Sequence, residues 1–348
     1  MIRKNILVTF DYELFLGRRS GSVQDCMTVP TEKLSEIMDN HGVKGIFFVD
    51  TTCLLRMREM ADQYDRCRAD LQEVLQQLNS LSERGHHIFP HLHPHWKDAV
   101  YDHATNNWSL TDTRHYRLHS IGVDERKKIL SDSIKLLHEV TQGRTGQQID
   151  SFRAGGWCIQ PFSDLKPIFS ELGVTNDFSV QKGFYQFTDA QYFDYSICPE
   201  NHIYRFTDDV CKEDEKGEFV EYSINSITIP SFNQLLGDIY LKFYYRITGD
   251  HTFSNGEGHV PVDDPQKRPA SDIGVNIGSS RKIQRISIEL MHPLNHGIYK
   301  SFIRKHDYMH FISHPKMINN LNIKCFDRFL SYCKREFEIE SDFRKMTA

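Results

Sequence analysis

The sequence predicts an α/β protein built on a parallel sheet that can close into a barrel. Three observations support this. Short, largely apolar runs, of the kind buried on both faces of a parallel sheet, recur at residues 5–10, 45–50 and 309–312. Segments with apolar residues at helical spacing lie between such runs, several of them ending at a glycine. Polar and titratable groups gather just past the apolar runs, at the edge where parallel α/β folds carry their sites.

In chain order, residues 5–10 read as the first strand, ending at Asp11, Tyr12 and Glu13. A loop with Arg18 and Arg19 follows. The first helix is expected from Thr31 as N-cap, with Leu34, Ile37 and Met38 inward and Gly42 at its end. Residues 45–50 are a buried strand. One long helix, with Leu71, Val74, Leu75, Leu78 and Leu81 on one face, runs to Gly85. Residues 88–89 form a brief strand that delivers histidines to its end. A helix over 124–141 carries Leu130, Ile134 and Leu137 and stops near Gly143. A strand over 148–152 leads to Arg153-Ala154-Gly155-Gly156-Trp157, a helix covers 162–172, and a strand reaches Asp177 and Ser179. Beyond Gln181 the periodicity fails, apart from an alternating strand over 219–230. Residues from about 235 to 300 read as an irregular insertion, and 249–280 is rich in Gly, Asp and Pro. A strand over 309–313 ends at His314. A last helix carries Phe326, Phe329, Leu330, Cys333 and Phe337 on one face. With no internal repeat and no composition break, residues 1–348 are expected to be one catalytic domain.

Composition narrows the function classes. A net charge of -5 gives no general affinity for nucleic acid or an anionic membrane. No apolar run approaches the ~20 residues needed to span a bilayer, and residues 1–10 are too short and polar for a signal-peptide core. The 8 cysteines show no C-x-x-C pair and read as free thiols. A cytoplasmic protein is expected, of undetermined oligomeric state.

The densest chemistry lies in Gly85-His86-His87-Ile88-Phe89-Pro90-His91-Leu92-His93-Pro94-His95-Trp96, with five histidines in ten positions. Imidazole is the commonest metal ligand, and several delivered to one strand end suit a metal cup. Asp11 and Glu13 are two apart, which places both on one face of an extended strand. Two carboxylates and two imidazoles on one rim suit a divalent ion with three protein ligands and an open position for water. The remaining carboxylate would serve as a base.

These segments resemble the polysaccharide deacetylases, the NodB-homology group of carbohydrate esterase family four. Thr9-Phe10-Asp11-Tyr12-Glu13 is similar to the first motif of that family, Thr-Phe-Asp-Asp. The histidine stretch resembles the second, Gly-His-Glu-Ile-Gly-Asn-His-x-x-x-His. Phe152-Arg153-Ala154-Gly155-Gly156-Trp157 is similar to the third, Arg-x-Pro-x-Gly. Asp177 with Ser179 stands for the fourth, and Ile312-Ser313-His314-Pro315 resembles the last, Leu-x-His. The resemblance implies a distorted (β/α) barrel of about seven strands. It implies His91 and His95 as metal ligands, Asp11 as general base, Arg153 as the group that orients Asp11, and His314 as general acid. It implies Zn2+, or Co2+ or another divalent ion, and removal of an N-acetyl or O-acetyl group from a sugar.

Two departures stand out. Tyr12 occupies the place of the family's third metal ligand, and Glu13, longer and on the face of Asp11, is expected to replace it. Gly155 and Trp157 replace the usual Pro and Gly of the third motif. The variant motifs look like a branch associated with surface-polysaccharide biosynthesis, O-antigen or capsule. An acetylated amino sugar, as a nucleotide-linked or lipid-linked glycan, is then the expected substrate. Tyr12, His93, Trp96, Trp157 and Asp177 are expected to line the substrate side. His93 is expected off the face shared by His91 and His95, and His86 and His87 in structural roles. Arg18 and Arg19 could hold a diphosphate. Two alternatives remain open: hydrolysis of a non-sugar amide on the same fold, and a degenerate barrel that binds sugar without turning it over.

Overall fold

Ile2–Tyr12 form the strand β1, about which the sheet is laid out; its residues from Ile6 onward are buried on both faces. The computed structural model describes residues 1–141, 147–258, 275–277 and 281–346, with backbone alone at 275–277 and 281. After β1 come α1 (Val29–His41), β2 (Gly45–Asp50), α2 (Thr51–Met60), α3 (Asp65–Glu83) and β3 (His87–Leu92). A small hairpin, β4 (Val100–Asp102) and β5 (Asn107–Ser109), precedes α4 (Val123–Thr141), β6 (Ser151–Ala154), α5 (Lys166–Leu172) and β7 (Asn176–Asp177). A second hairpin, β8 (Tyr185–Phe187) and β9 (Tyr192–Asp194), leads to β10 (Ile203–Phe206), β11 (Phe219–Tyr222) and β12 (Ser226–Pro230). The chain ends with α6 (Ser231–Thr248), β13 (Val275–Ile277), β14 (Arg281–Arg285), α7 (His296–Lys305), β15 (Tyr308–Ser313), α8 (Asn320–Glu336) and β16 (Phe337–Glu340).

The main sheet runs β10-β11-β7-β6-β3-β2-β1-β15, with β16 also paired to β1. All of these pairings are parallel except β10 against β11. The sheet curls, and irregular chain bridges the gap between its ends. His310 N donates to Asn225 Oδ1 at 2.7 Å, Ile312 N to Ile286 O at 3.0 Å, and Ile286 N to Asn225 O at 3.2 Å. Residues 286–288 therefore run beside β15 where no ladder forms. This is the expected distorted (β/α) barrel, and it turns the C-terminal ends of β1, β3, β6 and β15 toward one place.

Several expected elements differ in detail. α1 starts at Val29, after a π-turn over Gln24–Thr28, so Thr31 lies inside the helix rather than capping it. Its end is as expected, at Gly42 with φ 68°. The single long helix before the histidines is two, α2 and α3, because Asp50 caps an extra helix through Cys53 N. The strand expected over 219–230 is split between two sheets, as β11 and β12. Phe337 belongs to β16, which pairs with Ile2–Asn5, and not to the last helix. The irregular insertion holds regular structure at both ends, in α6 and α7, and in β13 and β14 between them. Residues 142–146, 259–274 and 278–280, including the cap at Gly143, lie outside the described residues.

Candidate active site

Three side chains converge beyond the ends of β1 and β3. Among the described residues, Glu13, His91 and His93 form the group whose ligand atoms all lie within 4.8 Å of one another. Glu13 Oε2 lies 3.0 Å from His93 Nε2 and 3.5 Å from His91 Nε2, and the two Nε2 atoms are 3.1 Å apart. Four-coordinate zinc with bonds of ~2.0–2.1 Å has ligand–ligand edges of ~3.3 Å, so these spacings fit one ion. The chemistry of the donors fits as well. His91 Nδ1 lies 2.8 Å from Arg153 O. A carbonyl only accepts, so Nδ1 carries the proton and Nε2 offers its lone pair to the cup. Glu13 Oε2 is buried and accepts no aligned hydrogen bond. Burial alone would raise the pKa of both carboxyls, but neighbouring cations prevail. Lys316 and His93 hold Glu13 well below the usual carboxylate range, and Arg153, His91 and His314 lower Asp11. Burial disfavours the His91 imidazolium, yet Asp11 and Glu13 outweigh it and raise the group to about 9. The two carboxylates thus make a place for one positive charge, which a proton or a divalent ion can fill.

The grouping differs from the expected one. Residues two apart share a strand face, so His91 and His93 were never on opposite sides. β3 stops at Leu92, and Pro94–Asp98 form a 3₁₀ turn. That turn carries His95 away from the strand direction. Its ring is buried, 5.5 Å from that of His93 and 5.0 Å from that of Tyr116. The main chain of His93 is fixed from below: its N–H donates to Thr52 Oγ1 at 2.9 Å, and Thr52 donates to Asp50.

A second constellation abuts the cup. Arg153 is fully buried and donates to Asp11 Oδ1 at 2.7 Å, Thr9 Oγ1 at 2.8 Å and Phe178 O at 2.9 Å. Its guanidinium also stacks over Phe48 at 4.2 Å. Asp11 Oδ2 remains toward the cup, 4.0 Å from His91 Nε2 and 3.5 Å from His314 Nε2. His314 is gripped on its far side by Glu289, whose Oε1 is 3.1 Å from Nδ1. Burial would raise Glu289, but His314 and Arg285 outweigh it and lower the carboxyl to about 2.

Sequence reasoning missed Glu289 and Lys316. Lys316 donates to Glu13 Oε1 and to Leu14 O, each at 2.8 Å, which leaves Oε2 for the imidazoles. Lys316 is two residues past His314, so the end of β15 was the available signal. Glu289 had none, because it follows the aperiodic seam.

The remaining candidates are placed as follows. Tyr12 points to the other face of β1 from Asp11 and Glu13, fully buried, and donates to Gln77 Oε1 of α3 at 2.9 Å. Trp96 is 1% exposed, with its indole N–H on Asp50, and is core rather than a stacking surface. Asp177 is buried and occupied by Ser179 Oγ at 2.7 Å and by Glu221; burial and that pairing hold Glu221 well above its usual range. Trp157 is half-buried, at φ 62°, edge-on to the rings of Phe184 and Phe193. Arg18 and Arg19 are exposed, and Arg19 pairs with Glu257 at 3.3 Å. His86 accepts from Gly45 N at 3.0 Å and His87 faces Asp342 at 3.2 Å, both away from the cup.

No family model and no curated protein matches the chain. Among solved structures, it is similar to a protein assigned as a polysaccharide deacetylase from Mycobacterium smegmatis, at 16% identity and TM-score 0.47, covering 96% of this chain and 85% of that one. It is similar to a family 4 acetyl xylan esterase from Clostridium thermocellum, solved with a cobalt ion, at 13% identity and TM-score 0.26, covering 52% and 60%. It is also similar to a 4-alpha-glucanotransferase from Thermococcus litoralis, at 12% identity and TM-score 0.46, covering 100% of this chain and 41% of that one. By description, the first two belong to the group that the motifs resemble and the third does not.

Proposed function

We propose that this chain is a metal-dependent hydrolase that removes an acetyl group from the nitrogen, or from an oxygen, of a sugar. The observation that carries the reading is the adjacency of three parts within one buried cup: the Glu13–His91–His93 donors, the Asp11–Arg153 pair and the His314–Glu289 pair. A divalent ion held by Glu13, His91 and His93, with zinc favoured by the nitrogen-rich donors, would polarise the acyl carbonyl and lower the pKa of a water toward ~7. Asp11 is kept ionised by Arg153 and accepts the proton of the attacking water at Oδ2, the oxygen that Arg153 leaves free. His314, oriented through Nδ1 by Glu289, presents Nε2 to the same space and gives a proton to the departing amine. Burial of Glu13, His91, His93, Asp11 and Arg153 strengthens each of these charges, while His314 stays partly open to solvent. The reading includes residues 1–348 acting as one domain, a cytoplasmic setting supported by the free cysteines, and a sugar from O-antigen or capsule synthesis as substrate.

Two measurements test it. The purified protein should hold about one divalent ion per chain, lost in Glu13→Ala, His91→Ala and His93→Ala and kept in His95→Ala. Loss with His95→Ala and retention with His93→Ala would restore the set that the motifs imply. Acetate release from acetylated amino sugars should fall ~10²- to 10⁴-fold in Asp11→Asn with the ion retained. A metal-loaded protein that releases no acetate from any sugar would overturn the activity.

A further inference from the structure

α6 is apolar on both of its sides. One side packs on the protein. Gly237 is buried against the His292 ring so closely that a Cβ there would sit 2.8 Å from it, and Tyr245 Oη accepts from Asn319 Nδ2 at 3.0 Å. The other side carries Phe232, Leu235, Leu236, Ile239, Phe243 and Ile247, each between 42% and 79% exposed. Their spacing of three and four residues lines them along one face for the length of the helix. Single exposed apolar side chains are ordinary, but an unbroken stripe of six is a surface that meets something. Among the described residues nothing covers it.

The surrounding charge says what it meets. Lys242 and Arg246, one turn apart, lie along the stripe. Lys282 of β14 stands opposite Ile229, at the end of the strand that leads into α6. None of the three is in an ion pair among the described residues. The one acid of α6, Asp238, is engaged by Gln234 at 3.0 Å. Aliphatic and phenyl side chains flanked by cations that have no ion-pair partner among the described residues are the pattern of a helix that lies in the headgroup layer of an anionic bilayer. No helix among the described residues is long and apolar enough to cross one, so α6 would rest on the surface.

We propose that α6 is an interfacial anchor that lays this stripe into an anionic lipid surface. The anchor is tied to the catalytic edge. Asn319, held by Tyr245, is five residues past His314, and Asp250, two residues past α6, accepts from the main-chain N–H of Leu321 at 3.0 Å. Docking through α6 brings the cup to a fixed position relative to the bilayer. The substrate class that follows is an acetylated glycan carried on a lipid; this second step rests on the proposed deacetylase activity, whereas the anchoring does not.

Flotation of the full chain with vesicles tests the anchor, and acetate release from a lipid-linked glycan in those vesicles, faster than from the same glycan free in solution, tests the substrate class. Wild type should float with vesicles containing phosphatidylglycerol and much less with phosphatidylcholine alone, and added salt should release it. The double substitution Ile239→Glu with Phe243→Glu, at exposed positions, should lower the bound fraction about tenfold or more while leaving the circular dichroism spectrum unchanged. Three outcomes overturn the anchor: no flotation of wild type, equal flotation of the double variant, or a wild-type dimer in sedimentation that the same substitutions split. Flotation without acetate release from any glycan retains the anchor and overturns the deacetylase. Acetate release without flotation does the reverse.

Discussion

Two histidines one strand-step apart decide the composition of the cup. His91 and His93 meet Glu13 because side chains two apart share a face, the same rule that places Glu13 beside Asp11. Both facts were readable in the sequence, and only the second was read; the family spacing named His95 instead, and the metal content of the His93→Ala and His95→Ala variants decides between the two. The partners of these groups were not readable. Glu289 reaches His314 from a stretch with no periodicity, and Lys316 reaches Glu13 across the β1–β15 boundary. Glu289 makes the sharpest prediction at this scale. Glu289→Gln keeps the shape but removes the carboxylate that orients His314 through Nδ1. We expect kcat to fall ~10- to 100-fold with KM and metal content unchanged. An unaltered kcat would show that the Glu289 contact does not position a catalytic His314.

At the scale of elements, the short turn after β6 is where packing and chemistry meet. Arg153 at the end of β6 lies level with His91 of β3 in parallel register. The chain must then turn close under the histidine loop, and Gly155 allows it. A Cβ on Gly155 would stand 2.3 Å from Leu92 O and 2.8 Å from His93 Nδ1. Neither can yield easily, since one is strand backbone and the other belongs to a metal-cup side chain. Gly155→Ala should therefore cost about 1–3 kcal/mol of stability and, if the proposed ion site holds, weaken divalent-ion binding, read by denaturant titration and by competition with a chelator. A variant with wild-type ion affinity would mean that His93 is not a ligand. This also accounts for the glycine in the place of the usual proline, which sequence comparison could only register as a departure. The helix boundaries misread in the sequence share one cause. α2 and the π-turn before α1 rest on tertiary contacts, such as Thr28 on Glu73 and Trp96 on Asp50, that local spacing does not encode.

For the whole molecule, the buried titratable groups set how stability follows pH. Burial holds His86 and His202 down to about 4 and pushes His310 well below its usual value. Each binds a proton on unfolding before it would in the fold, so their share of stability is present above ~6.5 and is lost as pH falls below it. Glu13 and Asp11 are also depressed, as is Glu289 at about 2, and their share is lost below the ordinary carboxylate range. His91 runs the other way in the ion-free protein, favouring the fold until pH passes about 9. Urea midpoints of the ion-free protein should thus be highest near pH ~6.5, decline above it as His91 loses its proton, and decline below it in two stages, below ~6.5 and again below ~4.5. A midpoint unchanged down to pH ~4 would contradict the buried neutral histidines. By itself, the sequence determined the α/β class, the parallel order of apolar strands, and the gathering of Asp11, Glu13, His91, Arg153 and His314 at strand ends, because strand alternation and apolar runs are local properties. Only the tertiary structure decided that His93 stands 3.0 Å from Glu13, that Tyr12 and Trp96 are buried, that Glu289 contacts His314 and Lys316 contacts Glu13, and that α6 shows an apolar face outward. Each of these depends on which segments the curled sheet brings together, and residues hundreds of positions apart leave no periodic trace of their contact.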